Sequence, residues 1–140
     1  MKYIHHELSY EIDDAWLREA GALDFRAGRE CYRALANPGL QGQVFQVCVG
    51  SVAPLIERAQ QRGIFCENEK TGESARQRVV RILRRFVSDA EIEPVIVAKA
   101  NGGVHEYHLL AGCHRFYCAN AMGFRNVPAV LEYLHHPAKL

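Results

Sequence analysis

The residues most suited to chemistry lie together at positions 110–115. This segment reads Leu110-Ala111-Gly112-Cys113-His114-Arg115 and joins a predicted strand to a predicted helix. The first N–H groups of a helix have no acceptor within the helix, and the helix dipole adds partial positive charge there. The small side chains of Ala111 and Gly112 leave this backbone open to a ligand. The segment therefore predicts an anion site, and we take the anion to be a nucleotide phosphate.

Nearby side chains extend this predicted site. Arg115 and His114 supply further N–H donors to phosphate oxygens. The positive surroundings are expected to lower the pKa of the Cys113 thiol, which favours a reactive thiolate. The alternative is that Cys113 is a small residue that fits a tight turn. Lys99, at the end of an earlier predicted strand, is either a further phosphate ligand or a surface lysine beside a hairpin.

The elements around this segment follow a mixed α/β pattern. Ser74 and Gln77 form a capping-box pattern at the start of an arginine-rich amphipathic helix. Asn101-Gly102 is typical of a two-residue hairpin turn, and Pro128 must lie at the start of its strand or on an edge strand. Strands are predicted at 43–49, 94–99, 104–110 and 127–133, and helices at 75–88 and 113–122 with a short one before Arg62-Gly63. Together they predict one α/β domain with a mixed sheet over residues 43–134.

Residues 1–42 are interpreted as a helical N-terminal extension. Asp13 is placed to cap a helix over 14–19, and a second helix is expected over 24–35, before the turn residues Asn37-Pro38-Gly39. His5-His6 is expected to be solvated.

Aromatic side chains in this extension have two interpretations. Trp16, Phe25 and Tyr32 can be exposed anchors for a partner, or they can cover the domain's own core. The second interpretation is favoured, because covering the core is the more common role of such residues.

Composition narrows the function classes. The chain has 140 residues and a formal net charge of +1, so it lacks the basic excess of a general nucleic-acid binder. There is no apolar stretch of membrane-spanning length and no secretory signal, which predicts a cytoplasmic protein. Five cysteines without a CxxC pair argue against a disulfide framework and a zinc site. His105 and His108 face opposite ways on a strand, and no metal is assigned.

The central segment resembles the ParB N-terminal/sulfiredoxin superfamily. Sulfiredoxins carry the signature Phe-Gly-Gly-Cys-His-Arg, and this chain matches its last four residues, with Leu110 and Ala111 in the first two positions. The resemblance covers about residues 44–133, and residues 1–42 have no counterpart in it. It is carried by Val95-Ile96-Val97-Ala98-Lys99, Asn101-Gly102-Gly103, Tyr107, Gly112-Cys113-His114-Arg115 and Val127-Pro128-Ala129-Val130-Leu131. It implies a ParB/sulfiredoxin-like single domain.

The resemblance also implies a ligand. Members of the superfamily bind a nucleoside triphosphate, here ATP or CTP with Mg²⁺, with the phosphates on this helix start. If the family's roles apply to the matching positions of this chain, the phosphates would be held by Gly112, His114, Arg115 and Lys99. A sulfiredoxin reaction would be the ATP-dependent reduction of a peroxiredoxin cysteine sulfinic acid with Cys113 as the nucleophile.

Two alternatives to that reaction stay open. One is a non-redox nucleotide-binding switch, in which the thiol has no role. The other is a plasmid- or phage-type accessory module without catalysis, which acts through partners. ParB partition proteins carry a helix-turn-helix region after this domain, whereas this chain stops at Leu140, so sequence-specific DNA binding is not expected.

Overall fold

The chain opens with a β-hairpin. The structure is a computed structural model and describes residues 1–35 and 43–132. Strands β1 (Lys2–His5) and β2 (Leu8–Glu11) pair antiparallel, with His5 opposite Leu8. Leu8 and Tyr10 are buried while their neighbours are exposed, which is the alternation of a half-buried strand. The prediction of a wholly helical extension is therefore wrong at its start.

The first helix confirms its predicted caps. Helix α1 spans Asp14–Ala20, the Asp13 carboxylate accepts a hydrogen bond from the Ala15 N–H at 2.8 Å, and Gly21 ends the helix with a φ of 71°. A carboxylate that accepts the free N–H groups of the first turn stabilises a helix.

The second helix, predicted over 24–35, is absent. The backbone of this segment pairs with other parts of the chain instead. The Leu35 N–H donates to the Ile92 carbonyl at 2.8 Å, and the Glu30 carbonyl accepts from Asn126 at 2.9 Å. Tertiary pairing satisfies these groups and overrides local helix propensity.

The three aromatic residues of the extension cover the core. Tyr32 is 3% exposed, while Trp16 and Phe25 are partly buried against the same hydrophobic cluster. They are not exposed anchors. The predicted division at 42/43 and the turn at Asn37-Pro38-Gly39 lie in residues 36–42, outside the described residues, and that division stays a prediction.

A four-stranded mixed sheet forms the centre of the fold, as predicted. Its strands are β3 (Phe45–Cys48), β4 (Val95–Lys99), β5 (Tyr107–Ala111) and β6 (Asn126–Leu131), in the order β3-β6-β4-β5. β6 is parallel to β4 and antiparallel to β3, and β4 is antiparallel to β5.

Pro128 lies in an interior strand. β6 has partners on both sides, so the edge-strand alternative is overturned. β4 pairs with β6 only from Ala129 onward. Pro128 therefore lies just before the part of β6 that pairs on both sides. A residue without an N–H is tolerated at that position.

The β4–β5 hairpin is confirmed, but its turn is longer than predicted. The loop covers residues 100–106 and is closed by a hydrogen bond from the Ala100 N–H to the Glu106 carbonyl at 2.9 Å. Gly102 and Gly103 both have positive φ. A two-residue turn at Asn101-Gly102 would place Glu106 in the hydrogen-bonded ladder of the hairpin. Instead, the Glu106 N–H donates to the Ser51 carbonyl at 3.0 Å, which is a tertiary contact outside the hairpin.

Helices and a tight turn flank the sheet. A 3-10 turn at Val49–Ser51 leads to α2 (Ile56–Gln61), followed by α3 (Ala75–Val87) and α4 (Cys113–Met122). The predicted capping box is present, because Ser74 and Gln77 each accept the other's backbone N–H. Among the described residues, no helix has the length and apolarity needed to cross a membrane.

Candidate functional site

Helix α4 begins at Cys113, directly after Gly112, as predicted. Gly112 has a φ of 93°, and its carbonyl accepts the hydrogen bond of the Phe116 N–H at 2.8 Å. The N–H groups of Cys113, His114 and Arg115 precede that first donor, so they have no acceptor within the helix. The backbone geometry expected of an anion site is therefore present.

Gly112 lies unusually close to β4. A Cβ on Gly112 would lie 2.8 Å from Cγ1 of Val95 and 2.9 Å from Nη2 of Arg115. A glycine is required for this approach as well as for the positive φ. The preceding residue, Ala111, is exposed and pairs with Ile96 at the end of β5.

An open cleft of about 910 Å³ lies at this helix start, with residues 111–115 in its wall. Cationic side chains from α2, α3, α4 and the loop before α3 line it. They are Arg58, Arg62, Lys70, Arg78, Arg81, Arg85 and Arg115. The acidic lining residues are Glu67, Glu69, Glu91 and Glu93. The cationic excess favours an anionic ligand, although the net charge of the whole chain is close to zero.

The arginines of α3 divide between two sides of the helix. Arg76 pairs with Glu19 of α1 at 2.6 Å, and Arg84 also points toward Glu19. Arg78, Arg81 and Arg85 line the cleft instead. The structure therefore brings three of the five arginines of α3 to the cleft.

These cleft arginines are held by acceptors that leave some of their N–H groups free. Arg78 donates to the Cys66 carbonyl at 3.2 Å through one nitrogen. Arg81 makes a two-pronged pair with Glu73 at 2.9 and 3.0 Å. A guanidinium has five N–H donors, so both side chains are oriented by the protein and keep donors for a ligand.

Arg115 and Arg58 are both partly buried. Arg115 donates to the Pro94 carbonyl at 3.3 Å through Nη2. Arg58 donates to the Ile64 carbonyl at 3.1 Å. The Nε of each is buried without a hydrogen-bond partner in the described part of the chain. A charge with unmet donors in partly buried surroundings attracts an anion more strongly than a solvated one.

His114 has a different role from the predicted phosphate donor. Its ring is 4% exposed, packs against Phe65, and places Nε2 3.0 Å from the Cys66 N–H and 3.1 Å from the Cys66 carbonyl. Burial, together with the nearby Arg78, lowers the pKa of His114 to about 4. The ring is neutral at pH 7, and its Nε2 is engaged with the loop before α3.

Cys113 is not activated as the sequence predicted. Burial is the main influence on its thiol and raises its pKa to about 11, outweighing the opposite effect of Arg58. Its Sγ lies 3.5 Å from the Ile64 carbonyl, to which the thiol donates. The expectation of a lowered pKa is wrong, because the Cys113 side chain is partly buried against the hydrophobic core, and desolvation opposes the thiolate.

Lys99 does not reach the cleft. It pairs with Tyr107 at the far end of the β4–β5 hairpin, whereas the Gly112 turn follows the end of β5 that pairs with the start of β4. The Lys99 ammonium lies 3.8 Å from the Glu106 carboxylate and 5.9 Å from the centre of the Tyr107 ring. The antiparallel register therefore separates Lys99 from the rest of the predicted set.

Sequence reasoning missed the arginines of α2. Arg58 and Arg62 are four residues apart, a spacing that places two side chains on one face of a helix. That spacing was visible in the sequence. Nothing in the sequence showed that this face would meet the start of α4.

One comparison with known proteins found a matching family. The family model of the ParB N-terminal domain matches residues 70–140, half of the chain. The chain belongs to the ParB N-terminal domain family. The match includes α3, the Gly112 turn and α4, so membership confirms the superfamily predicted from the sequence. The ParB N-terminal match begins after α2, and the resemblance over residues 44–69 stays a prediction, as does the particular likeness to sulfiredoxins.

The other two comparisons add nothing to the ParB N-terminal assignment. Neither the curated proteins nor the solved structures contained a match to this chain. Within residues 1–35 and 43–132, no group of three or more His, Cys, Asp or Glu side chains is arranged to hold a metal ion.

Proposed function

We propose that this ParB N-terminal domain binds a nucleoside triphosphate with its phosphates at the start of α4. The observation that carries the proposal is the meeting of two features in one cleft. The Gly112 turn leaves three backbone N–H groups without an acceptor in the helix, and seven cationic side chains line the same space. Backbone donors and arginines are the groups that bind phosphate oxygens most strongly.

The cleft also suits Mg²⁺ bound to the triphosphate. Magnesium in nucleotide sites takes one or two carboxylates together with phosphate oxygens. Four glutamates line the cleft among the arginines, so ATP or CTP with Mg²⁺ remains the proposed ligand.

A binding titration tests the proposal. Calorimetry with ATP and with CTP, each with Mg²⁺, compares the wild type with Arg115→Ala and Arg78→Ala. Each variant removes charge-assisted hydrogen bonds, so we expect affinity to fall about 10- to 100-fold. Arg76→Ala is the matched control, because Arg76 lies on the same helix as Arg78 but pairs with Glu19 away from the cleft.

The result can contradict the proposal in two ways. If the wild type binds neither nucleotide, the cleft is not a nucleotide site. If Arg76→Ala weakens binding as much as Arg78→Ala does, the effect reflects the general charge of the protein and not this cleft.

We favour a non-redox module over a sulfiredoxin-like reductase. The raised pKa and the Ile64 contact of Cys113 support a thiol that packs and does not react. Cys113→Ala should therefore leave nucleotide affinity within about twofold of the wild type. ATP-dependent reduction of a sulfinylated peroxiredoxin by the wild type, lost in Cys113→Ser, would establish the redox alternative instead.

A further inference from the structure

His5 is a buried histidine that connects the N-terminal hairpin to the rest of the molecule. The expectation of a solvated His5-His6 pair is wrong for His5, which is only 3% exposed. Its Nδ1 lies 3.1 Å from the Tyr117 hydroxyl, and its Nε2 lies 3.0 Å from the Val49 carbonyl. The ring also contacts Phe116 and Tyr117 edge-on. Both ring nitrogens therefore form hydrogen bonds within the protein.

The neighbouring hydrogen bonds determine which nitrogen of His5 carries the proton. The Val49 carbonyl can only accept, so Nε2 must be the N–H that donates to it. The Tyr117 hydroxyl accepts from the Leu55 N–H at 3.1 Å, and it is then free to donate its own proton to Nδ1. The result is a continuous chain from Leu55 through Tyr117 to a neutral His5.

Leu55 is the residue that precedes α2. That helix has six residues, none of them buried, and no side chain caps its start. Short helices are marginal without tertiary contacts. The bond from Leu55 to Tyr117 is therefore a tertiary hydrogen bond that helps to fix α2, beside the packing of Ile56 and Ala59 against the core. Helix α2 carries the cleft residue Arg58, and Arg62 directly follows the helix.

We propose that His5 is a positioning residue for the cleft. Neutral His5 accepts from the Tyr117 hydroxyl, which orients that hydroxyl toward Leu55 and fixes α2 with its arginines. A proton on Nδ1 turns that nitrogen into a donor and leaves the Tyr117 hydroxyl proton buried without its acceptor. Protonation of His5 therefore loosens α2 and weakens phosphate binding. The second part of this inference rests on the proposed nucleotide function.

The groups around His5 favour its neutral form. The His6 ring lies against it, tilted by 55° with ring centres 4.6 Å apart, and the His105 ring lies against His6 with the same tilt at 4.4 Å. These two imidazoles oppose a further proton, and Glu7 on the hairpin turn favours one. From α4 the titratable group is Tyr117, which burial keeps protonated, and the Val49–Ser51 turn carries none. Burial has the largest effect and lowers the pKa of His5 below its ordinary 6.5.

Hydrogen exchange of the α2 amides tests the positioning without any ligand. Protection factors of Leu55 and Ala59 are measured at pH 7.5 and 5.5 in the wild type, His5→Gln and Tyr117→Phe. Wild-type protection should fall at pH 5.5, by up to about tenfold because the pKa of His5 lies below 6.5. Tyr117→Phe should show low protection at both pH values. Glutamine supplies a donor and an acceptor but takes no proton in this range, so His5→Gln should give the same protection at both. His108→Gln is the control, because His108 is an exposed histidine of β5.

Nucleotide affinity at the same two pH values tests the link to the cleft. Protonation of the phosphates affects every variant equally, so the comparison is between proteins. Between pH 7.5 and 5.5 the wild type should lose more affinity than His5→Gln, by up to about 10-fold because the pKa of His5 lies below 6.5, and His108→Gln should follow the wild type.

Each outcome decides between the two proposals. The proposal that His5 positions α2 is overturned if the α2 protection factors stay unchanged both in the wild type at pH 5.5 and in Tyr117→Phe. If Tyr117→Phe fails to fold, the pH comparison between wild type and His5→Gln decides alone. Identical affinity profiles for wild type and His5→Gln overturn the link to the cleft while nucleotide binding stands. Absence of nucleotide binding in the wild type overturns the proposed function, and the exchange data still decide whether His5 positions α2.

Discussion

Gly112 and Val95 are in such close contact that a Cβ on Gly112 would overlap the Val95 side chain at 2.8 Å and approach its Cα at 3.2 Å. The start of α4 is thereby pressed against the start of β4. The same turn sets the position of the backbone donors and of Arg115, so this contact determines the geometry of one wall of the cleft.

Gly112→Ala should destabilise the protein more than Gly123→Ala does. Both glycines have a φ of 93°, but only Gly112 has atoms within 4 Å of the added methyl group. The backbone cost of alanine is about 1–2 kcal/mol at each site, and the overlap with Val95 adds about 1–3 kcal/mol at Gly112. Urea denaturation measures both variants. Equal losses would show that the turn relaxes away from β4 without cost.

Cys113 should react slowly with alkylating reagents at neutral pH. Its thiol is half-buried and its pKa is raised to about 11, and the thiolate is the form that reacts. Mass spectrometry after iodoacetamide treatment at pH 7.5 should find Cys48, which is exposed, modified before Cys113. Faster labelling of Cys113 than of Cys48 would restore the activated thiol predicted from the sequence.

Ser74→Ala should weaken the start of α3. The Ser74 hydroxyl accepts the Gln77 N–H at 3.1 Å in the capping box, and loss of such a cap costs about 1 kcal/mol in the free energy of unfolding. Ser88→Ala at the other end of α3 is the control, since that exposed hydroxyl only donates to Arg85 at 3.3 Å. Thermal unfolding that ranks Ser88→Ala as the more harmful change would contradict this assignment.

Stability should fall on acidification partly through His114. Its pKa is about 4 in the folded protein and 6.5 ordinarily, so the unfolded chain takes up a proton first as pH falls. The contribution of neutral His114 to the free energy of unfolding is fully present above pH 6.5 and is lost as the pH falls toward 4. At pH 5 the free energy of unfolding should be about 1–2 kcal/mol lower for this reason.

The variant His114→Gln isolates this contribution. It should be less stable than the wild type at pH 7.5 but lose less stability between pH 7.5 and 5. Urea denaturation at the two pH values measures the difference, and His108→Gln, at an exposed strand position, should behave as the wild type does. An unchanged slope in His114→Gln would mean that the folded ring accepts its proton near the ordinary pKa.

Local patterns predicted the elements wherever neighbouring residues determine the backbone. The Asp13 cap and the Ser74–Gln77 capping box each satisfy free N–H groups within a few residues. Prediction was wrong for residues 24–35, because their backbone groups bond to Ile92 and Asn126, which are far away in the chain.

The sequence alone determined the family, the mixed α/β fold and the helix that starts after Gly112, since these depend on short-range spacing and on matched residues. Only the tertiary structure decided which charged groups share the cleft. Sheet register moved Lys99 away, helix packing brought in Arg58 and Arg78, and burial reversed the expected pKa shift of Cys113. Such effects act through space between residues distant in the chain, and no local pattern encodes them.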